Sequence, residues 1–304
     1  MSKKVLITGA TGLIGSELSR QLLQAGTRVN YLTRNPDKIR DTEDYMGFRW
    51  NPAKGQLDED ALQGVSTIIN LAGASISLPW TKSNKELIVQ SRQDSLRTLY
   101  SALEAKKQHE VTHLISASAI GLYPDSLDTL YTEDMNQGDH SFLSTTVQVW
   151  EQEALKFTAL GLKTSLVRIG LVLSEKGGAL PQLIRPIRFY AGAALGSGEQ
   201  WQSWIHLQDI AATFRFCQEH DLEGIYNAVA PNPVSNAVLT KAAAKVLKKP
   251  LWLPNVPGFV LKTALGERSQ LVLGSQRVSS QKIQEAGFTF TYPNLMPALE
   301  DLLT

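Results

Sequence analysis

Sulfur, charge imbalance and long apolar runs are all scarce in this chain, and each scarcity closes off a class of protein. Cys217 is the single cysteine in 304 residues, which excludes an internal disulfide framework and a cysteine-only zinc site. It lies among helix-forming residues in Thr213–Gln218 and reads as a core side chain. Lys and Arg number 30 against 29 Asp and Glu, a formal charge of +1. Neither a general basic surface for nucleic acid nor an acidic, disordered composition is present. No uninterrupted apolar stretch is long enough to cross a bilayer, and the first apolar run carries the glycines of a turn instead of a signal peptide. The expectation is a cytoplasmic protein without nucleic-acid or membrane partners, and 43% hydrophobic residues allow a large core.

What is present begins at Val5-Leu-Ile-Thr-Gly-Ala-Thr-Gly-Leu-Ile-Gly15. A β-branched run meets Gly9, Gly12 and Gly15, followed by the amphipathic Ser16–Gln24 and a second strand-like run, Arg28–Leu32. This is the strand, turn and helix start that holds a dinucleotide pyrophosphate. Gly9 makes the turn, Gly12 admits the phosphates and Gly15 lets helix and strand pack closely. The N–H groups of the first turn, around Thr11, Leu13 and Ile14, then face the anion. At the end of the second strand an acidic residue would bind the ribose hydroxyls of NAD. This chain has Thr33-Arg34 there, with Lys38 nearby, which removes the repulsion of a 2′-phosphate and supplies donors suited to it. The expected cofactor is NADP(H).

Strand-like runs at Val5–Thr8, Arg28–Leu32, Gly47–Trp50, Thr67–Leu71, His113–Ser116 and Thr164–Ile169 alternate with helical segments Ser16–Gln24, Asp58–Gln63, Ser83–Lys106 and Val147–Ala159. That alternation predicts an α/β fold, a Rossmann doubly wound parallel sheet whose ligand lies beyond the carboxyl ends of its strands. Leu71-Ala-Gly73, Ser116-Ala-Ser-Ala119 and Arg168 fall at such ends. After Gly170, glycines and prolines multiply, Ile225–Val229 reads as a returning strand and Leu239–Leu247 as a helix. The predicted division is a nucleotide-binding domain over 1–170 with 205–230 returning to its sheet. Residues 171–204 and 231–304 form a small C-terminal α+β lobe.

Thr8-Gly-Ala-Thr-Gly-Leu-Ile-Gly15, Asn70-Leu-Ala-Gly73, Ser116-Ala-Ser-Ala119 and Trp204-Ile-His-Leu-Gln-Asp209 together resemble an extended short-chain dehydrogenase/reductase. Leu71-Ala-Gly-Ala-Ser-Ile-Ser-Leu-Pro-Trp-Thr81, Ser91-Arg92, Trp150-Glu151, Gly274-Ser-Gln-Arg-Val278 and Glu285-Ala-Gly-Phe-Thr-Phe290 are similar to its atypical "epimerase family protein" branch of the YfcH type. The resemblance implies a Rossmann sheet, NADP(H) and a catalytic serine at Ser118. It also implies a Tyr-x-x-x-Lys pair on the helix beginning near Phe142. In the family register those two positions are Leu143 and Val147, and no tyrosine in the chain is followed four residues later by lysine. Ordinary epimerisation needs a base at that place, since a phenol with pKa ~10 is a poor base at neutrality without the lysine charge.

Substitutes for the missing pair are Tyr123 and His206, with Glu133, Arg92 and Arg168 as further polar candidates and Trp80, Trp201 and Trp204 as an apolar wall. Three functions remain open: an NADPH-dependent reductase of an unknown small carbonyl substrate, an NADP(H)-occupied sensor that presents a surface to a protein partner, and a nucleotide-sugar epimerase. A homodimer through Ser83–Lys106 and Val147–Ala159 is left open by analogy with relatives.

Overall fold

In the computed structural model, which describes residues 4–106 and 108–304, the run at Val5 forms strand β1 (Lys4–Thr8), with Val5, Leu6 and Ile7 fully buried. Continuous apolar strands of this kind belong to a sheet covered on both faces. The following elements are α1 (Leu13–Gln24), β2 (Arg28–Thr33), β3 (Tyr45–Asn51), β4 (Gln56–Leu57), β5 (Thr67–Asn70), α2 (Lys82–Ala105), β6 (His113–Ala119), α3 (Phe142–Leu155), β7 (Lys163–Ile169), α4 (Leu207–Glu219) and β8 (Gly224–Ala228). The strands make one eight-stranded sheet in the order β8-β7-β6-β5-β1-β2-β3-β4. β1 pairs in parallel with both β2 and β5, β2 with β3 and β5 with β6, whereas the short β4 returns antiparallel to β3. Sequence order therefore runs outward in opposite directions from β1 and β5, and the ends of those two strands form the switch point at which Rossmann-like sheets bind ligands.

Two expected elements differ. Residues 58–63 hold only a 3₁₀ turn, Glu59–Leu62, opened by Asp58, whose carboxylate accepts from Asp60 N; the segment is too short to propagate a helix. The helix expected from Val147 starts five residues earlier, where the Ser141 hydroxyl accepts from Ser144 N as an N-cap, and ends in a 3₁₀ turn over Lys156–Leu160.

The chain divides into two compact units, one of 1–119, 141–168 and 211–226, the other of 120–140, 169–210 and 227–304. The segment 120–140, which the sequence places with the sheet, and the stretch 205–210 both group with the second unit. That unit is built from short strand pairs, Leu171–Leu173 with Trp204–His206 and Trp201–Gln202 with Val234–Ser235, and from the helices Leu180–Arg188, Asn236–Val246 and Leu295–Leu303. Trp204, Leu180, Ile184, Leu239, Ala243 and Leu299 form its core. Trp204 is fully buried with its indole N–H donating to Asn232 O at 3.1 Å, so it packs into this core. Cys217 is likewise buried, which pushes its thiol up to about 12 and leaves it inert.

His113, buried at the start of β6, shows how the sheet constrains a titratable side chain. Ser165 donates its hydroxyl proton to Leu222 O and so accepts from His113 Nε2 at 2.9 Å, which leaves His113 Nδ1 an unprotonated, buried acceptor with no donor facing it. Burial accordingly pulls its pKa down to about 4. Between pH 6.5 and 4 the unfolded chain protonates this histidine and the folded one does not, so stability falls with pH through that window, by about 3 kcal/mol at its foot. Urea midpoints measured from pH 7 to 4.5 are expected to fall less steeply in His113→Gln than in the parent; parallel slopes would refute the assignment.

Candidate functional site

The turn between β1 and α1 is determined by contacts that only glycine permits. Gly9 has φ +72°, and a Cβ there would lie 3.0 Å from the carbonyl carbon and oxygen of Leu71. A Cβ on Gly15 would sit 2.2 Å from Gly9 O and 2.7 Å from Ala10 Cα, so the first turn of α1 rests directly on the backbone of the loop. Gly12 is the N-cap, with extended backbone and no side-chain cap. Its N–H bonds Gly9 O at 2.9 Å and its carbonyl accepts from Ser16 N. The N–H groups of Leu13, Ile14 and Gly15 have no partner among the described residues, as expected of an uncapped helix start. Thr11 is exposed beside them.

The floor of this turn is held by a polar network at the carboxyl ends of the central strands. Thr8 Oγ1 donates to Asn70 Oδ1 at 2.7 Å and accepts from Leu71 N and Ala72 N, each at 3.1 Å. Asn70 Nδ2 reaches Ser116 Oγ at 3.3 Å, and Ser95 from α2 donates to Asn70 Oδ1 at 2.9 Å. All four side chains are buried, so β1, β5, β6 and α2 are pinned together where Leu71, Ala72 and Gly73 leave the sheet.

Beyond β2, Thr33 is buried and its hydroxyl accepts from Asn35 N at 3.2 Å, while Arg34 is exposed with no hydrogen bond or ion pair among the described residues. A recess of about 460 Å³ opens next to the glycine turn, bounded by Ala10, Thr11 and Ser16 on one side and by Tyr31, Lys38 and Arg40 on the other. Tyr31 shapes this wall. Its hydroxyl donates to Lys38 O and accepts from Arg40 N, both at 2.7 Å, and its ring stacks on Tyr45 at 4.3 Å. Gly47 makes room for the ring, since a Cβ there would lie 2.6 Å from Tyr31 Cζ. Arg40 and Tyr31 were not singled out by the sequence, because their role depends on a loop that only tertiary hydrogen bonds define.

At the ends of β6 and β7 the structure brings Ser118 and Arg168 together through a residue of α3. Glu151 accepts from Ser118 Oγ at 2.5 Å and from Arg168 Nε and Nη2 at 2.8 and 2.9 Å. Ser118 and Arg168 are each 1% exposed. An ionised carboxylate only accepts, so the hydroxyl proton of Ser118 is directed at Glu151. Arg168, expected at the cofactor, is turned inward as half of a bidentate buried ion pair. Glu151 carries the motif signal of Trp150-Glu151, but its chemistry was not legible without its partners.

Arg92 takes a different position. Its Nη1 donates to Ala74 O at 3.1 Å and Ile88 O at 2.8 Å, and its guanidinium lies 4.8 Å from the ring centre of Trp150. A Cβ on Gly73 would lie 3.2 Å from Arg92 Cζ, so this arginine packs against the loop that follows β5. The surface salt bridge that a helix arginine commonly makes is absent among the described residues. Trp80 donates to Ile76 O and meets Phe142 edge-on at 4.9 Å.

The remaining candidates lie in the second unit. Tyr123 is 2% exposed, stacked on Tyr131, with its hydroxyl 2.8 Å from Asn227 Oδ1 and 3.2 Å from Thr132 O. Glu133 accepts from Asn227 N at 2.8 Å. His206 is 1% exposed; its Nδ1 accepts from Gln208 N, its Nε2 lies 3.2 Å from Asp301 Oδ2, and its ring is 4.0 Å from that of Tyr292. A hydrogen bond to Asp301 and burial push the Tyr292 hydroxyl up to about 12. Trp201 donates to Leu127 O at 2.8 Å beneath Arg277. Each of these side chains is engaged in holding its own unit together.

Removing one side of a buried ion pair strands the other charge, at a cost of about 3–5 kcal/mol. Glu151→Ala should lose about that much in a urea titration, since Arg168 would then be buried without its carboxylate; a loss below about 1 kcal/mol, the value of a surface pair, would contradict the buried geometry.

Comparison with known proteins identifies the family and the fold. Residues 5–228 match the NAD dependent epimerase/dehydratase family, and residues 256–302 match a domain of unknown function, DUF1731. The epimerase family protein YfhF of Bacillus subtilis is 40% identical over 301 residues, covering 98% of this chain and 97% of that protein. The human epimerase family protein SDR39U1, solved with NADPH, superposes with a TM-score of 0.84 at 26% identity over 98% of both chains. The nucleoside-diphosphate sugar epimerase of Corynebacterium glutamicum gives a TM-score of 0.79 at 30% identity, covering 100% of this chain and 58% of that one. With its Rossmann-like sheet, glycine turn and matching residues over most of its length, the chain belongs to the NAD dependent epimerase/dehydratase family.

Proposed function

We propose that this protein is an NADP(H)-binding member of the atypical short-chain dehydrogenase/reductases, of the YfcH type, acting as an NADPH-dependent oxidoreductase on a small activated carbonyl or enone substrate. The observation that carries the reading is the pairing of an open helix start with a cationic wall. Leu13, Ile14 and Gly15 offer N–H groups without partners; Thr33-Arg34 ends β2 where an NAD-specific site would have a carboxylate, and Arg20, Lys38 and Arg40 outnumber Asp37 in the recess beyond it. A Cβ at Gly9 or Gly15 would fill the turn, so the residues present fit a dinucleotide. Gly9, Gly12 and the first turn of α1 would hold the pyrophosphate, Leu71, Ala72 and Gly73 would border it, and Thr33 and Arg34 would receive the adenosine ribose and its 2′-phosphate. SDR39U1, of similar fold, was solved with NADPH, which supports the choice of phosphate-bearing cofactor.

When bound, NADPH supplies the hydride. The chain's own part is to bind and orient, because Leu143 and Val147 cannot move a proton and Ser118 already donates to Glu151. Ser118 can serve a substrate oxygen only after its proton turns away from Glu151, and the hydroxyl of Tyr123 is committed to Asn227 or Thr132. The proton therefore comes from water. The same commitments favour a second reading, a non-catalytic NADP(H) sensor that presents its occupied state to a protein partner. Literal nucleotide-sugar epimerisation is the least supported of the three.

Calorimetric titration with NADPH and NADH tests the cofactor assignment. Arg34→Ala and Arg40→Ala should each weaken NADPH by about tenfold, the loss of one charge-assisted contact, and leave NADH unchanged. Equal losses for both nucleotides would remove these arginines from 2′-phosphate recognition.

A further inference from the structure

The seam between α2 and α3 holds a group of donors for which the protein supplies no acceptor. The two helices run parallel, with Lys85 set against Phe142, Arg92 against Trp150 and Arg97 against Glu153 in ascending order. Arg97 has its carboxylate at 2.6 Å. Arg92 has none: only its Nη1 hydrogens are used, on two backbone carbonyls, and its Nε–H and Nη2–H groups have no acceptor among the described residues. The indole N–H of Trp150, buried beneath it, also has no partner. Burial lowers the Arg92 pKa to about 10, so the group is still a cation at neutral pH.

The Trp150 N–H is a buried donor left without a partner, which is costly. Arg92 itself is only partly buried, and its spare Nε and Nη2 hydrogens are not among the buried unpartnered atoms, so they are open to an anion from solvent, whereas Arg168 is closed off by Glu151. The placement is also specific. Arg92 packs on Gly73, in the same short loop as Leu71, whose carbonyl abuts Gly9, and Trp150 stands one helical turn beyond Val147 on α3.

We propose that Arg92 and Trp150 form an anion-binding site that takes a phosphate or carboxylate at the carboxyl end of β5. Its location beside the nucleotide rests on the cofactor reading above, whereas its chemistry does not. Two sources supply such an anion: the diphosphate of the cofactor, or an acidic group on the substrate, which would then be a carboxylated or phosphorylated carbonyl compound. Arg92 is the cation of this part of the site, delivered from α2 to a helix whose own lysine position is apolar.

The test uses calorimetry on the parent protein, Arg92→Gln and Trp150→Phe with three probes: NADPH, adenosine 2′-monophosphate, which lacks the diphosphate altogether, and inorganic phosphate added to NADPH-loaded protein. If the substrate's acid is the ligand, phosphate binds the loaded parent and Arg92→Gln weakens it about tenfold. If the cofactor diphosphate is the ligand, Arg92→Gln weakens NADPH about tenfold and spares adenosine 2′-monophosphate. In either case Trp150→Phe, which removes the N–H and keeps a ring, weakens the same titration severalfold. Arg92→Lys, which keeps the charge, retains part of the binding and serves where Arg92→Gln fails to fold. The proposal is overturned if the variants match the parent within twofold on phosphate and NADPH. It is equally overturned if adenosine 2′-monophosphate weakens in step with NADPH, which would make Arg92 only a tie between the loop and α2. Failure of the parent to bind either nucleotide would refute the cofactor reading, and phosphate titration of the unloaded proteins would still decide the role of Arg92.

Discussion

The contact between the Cα of Gly15 and the carbonyl of Gly9 is the constraint on which the nucleotide end of the structure depends. With the first turn of α1 resting on the loop backbone, the helix start is brought over the end of β1 and its N–H groups and dipole converge on one point. The same loop presses Gly9 on the backbone of Leu71, and the Thr8 hydroxyl secures Leu71 and Ala72 from below. A short, rigid, positively polarised turn follows from three glycines and a threonine. An alanine methyl at position 15 has nowhere to go, because the atoms it would meet are backbone.

A second buried arrangement occupies α3, where the short-chain dehydrogenase/reductase resemblance implied a tyrosine and a lysine. Leu143 and Val147 stand at those positions, and one turn later Glu151 gathers Ser118 and Arg168 into a buried, paired cluster. Such a cluster fixes geometry well and moves protons poorly, since the hydrogens of Ser118 Oγ and of Arg168 Nε and Nη2 are already committed to Glu151. The result is a site strong in binding features and short of free acids and bases, which is why hydride transfer to an activated acceptor, or no turnover at all, fits it better than epimerisation.

How much of this was legible in the sequence follows from how local each feature is. The glycine turn and the strands at Val5, Arg28, Thr67 and His113 are written in short runs of residues, and they read correctly. The 3₁₀ turn at Glu59–Leu62 and the early start of α3 at Phe142 depended on capping by Asp58 and Ser141, side chains whose hydrogen bonds decide where a helix begins. The roles of Glu151, Tyr31 and Trp150 were hidden for a different reason. Each acts through partners tens of residues away in sequence or through an atom left without one, and no spacing rule reports that. His206 and Tyr123 are engaged by Asp301, Tyr292 and Asn227, partners that lie far away in sequence and that no local run of residues announces.

The central claim is that a 2′-phosphate sits against Arg34, Lys38 and Arg40, and phosphorus NMR of the bound nucleotide addresses it most directly. A free phosphomonoester takes up its second proton near pH ~6. Clamped between guanidinium and ammonium groups it should remain dianionic to well below that value, so the account predicts a 2′-phosphate resonance that holds its dianion position from pH 8 down to about 5.5. A resonance that titrates as it does in free NADPH, or no bound signal, would contradict it.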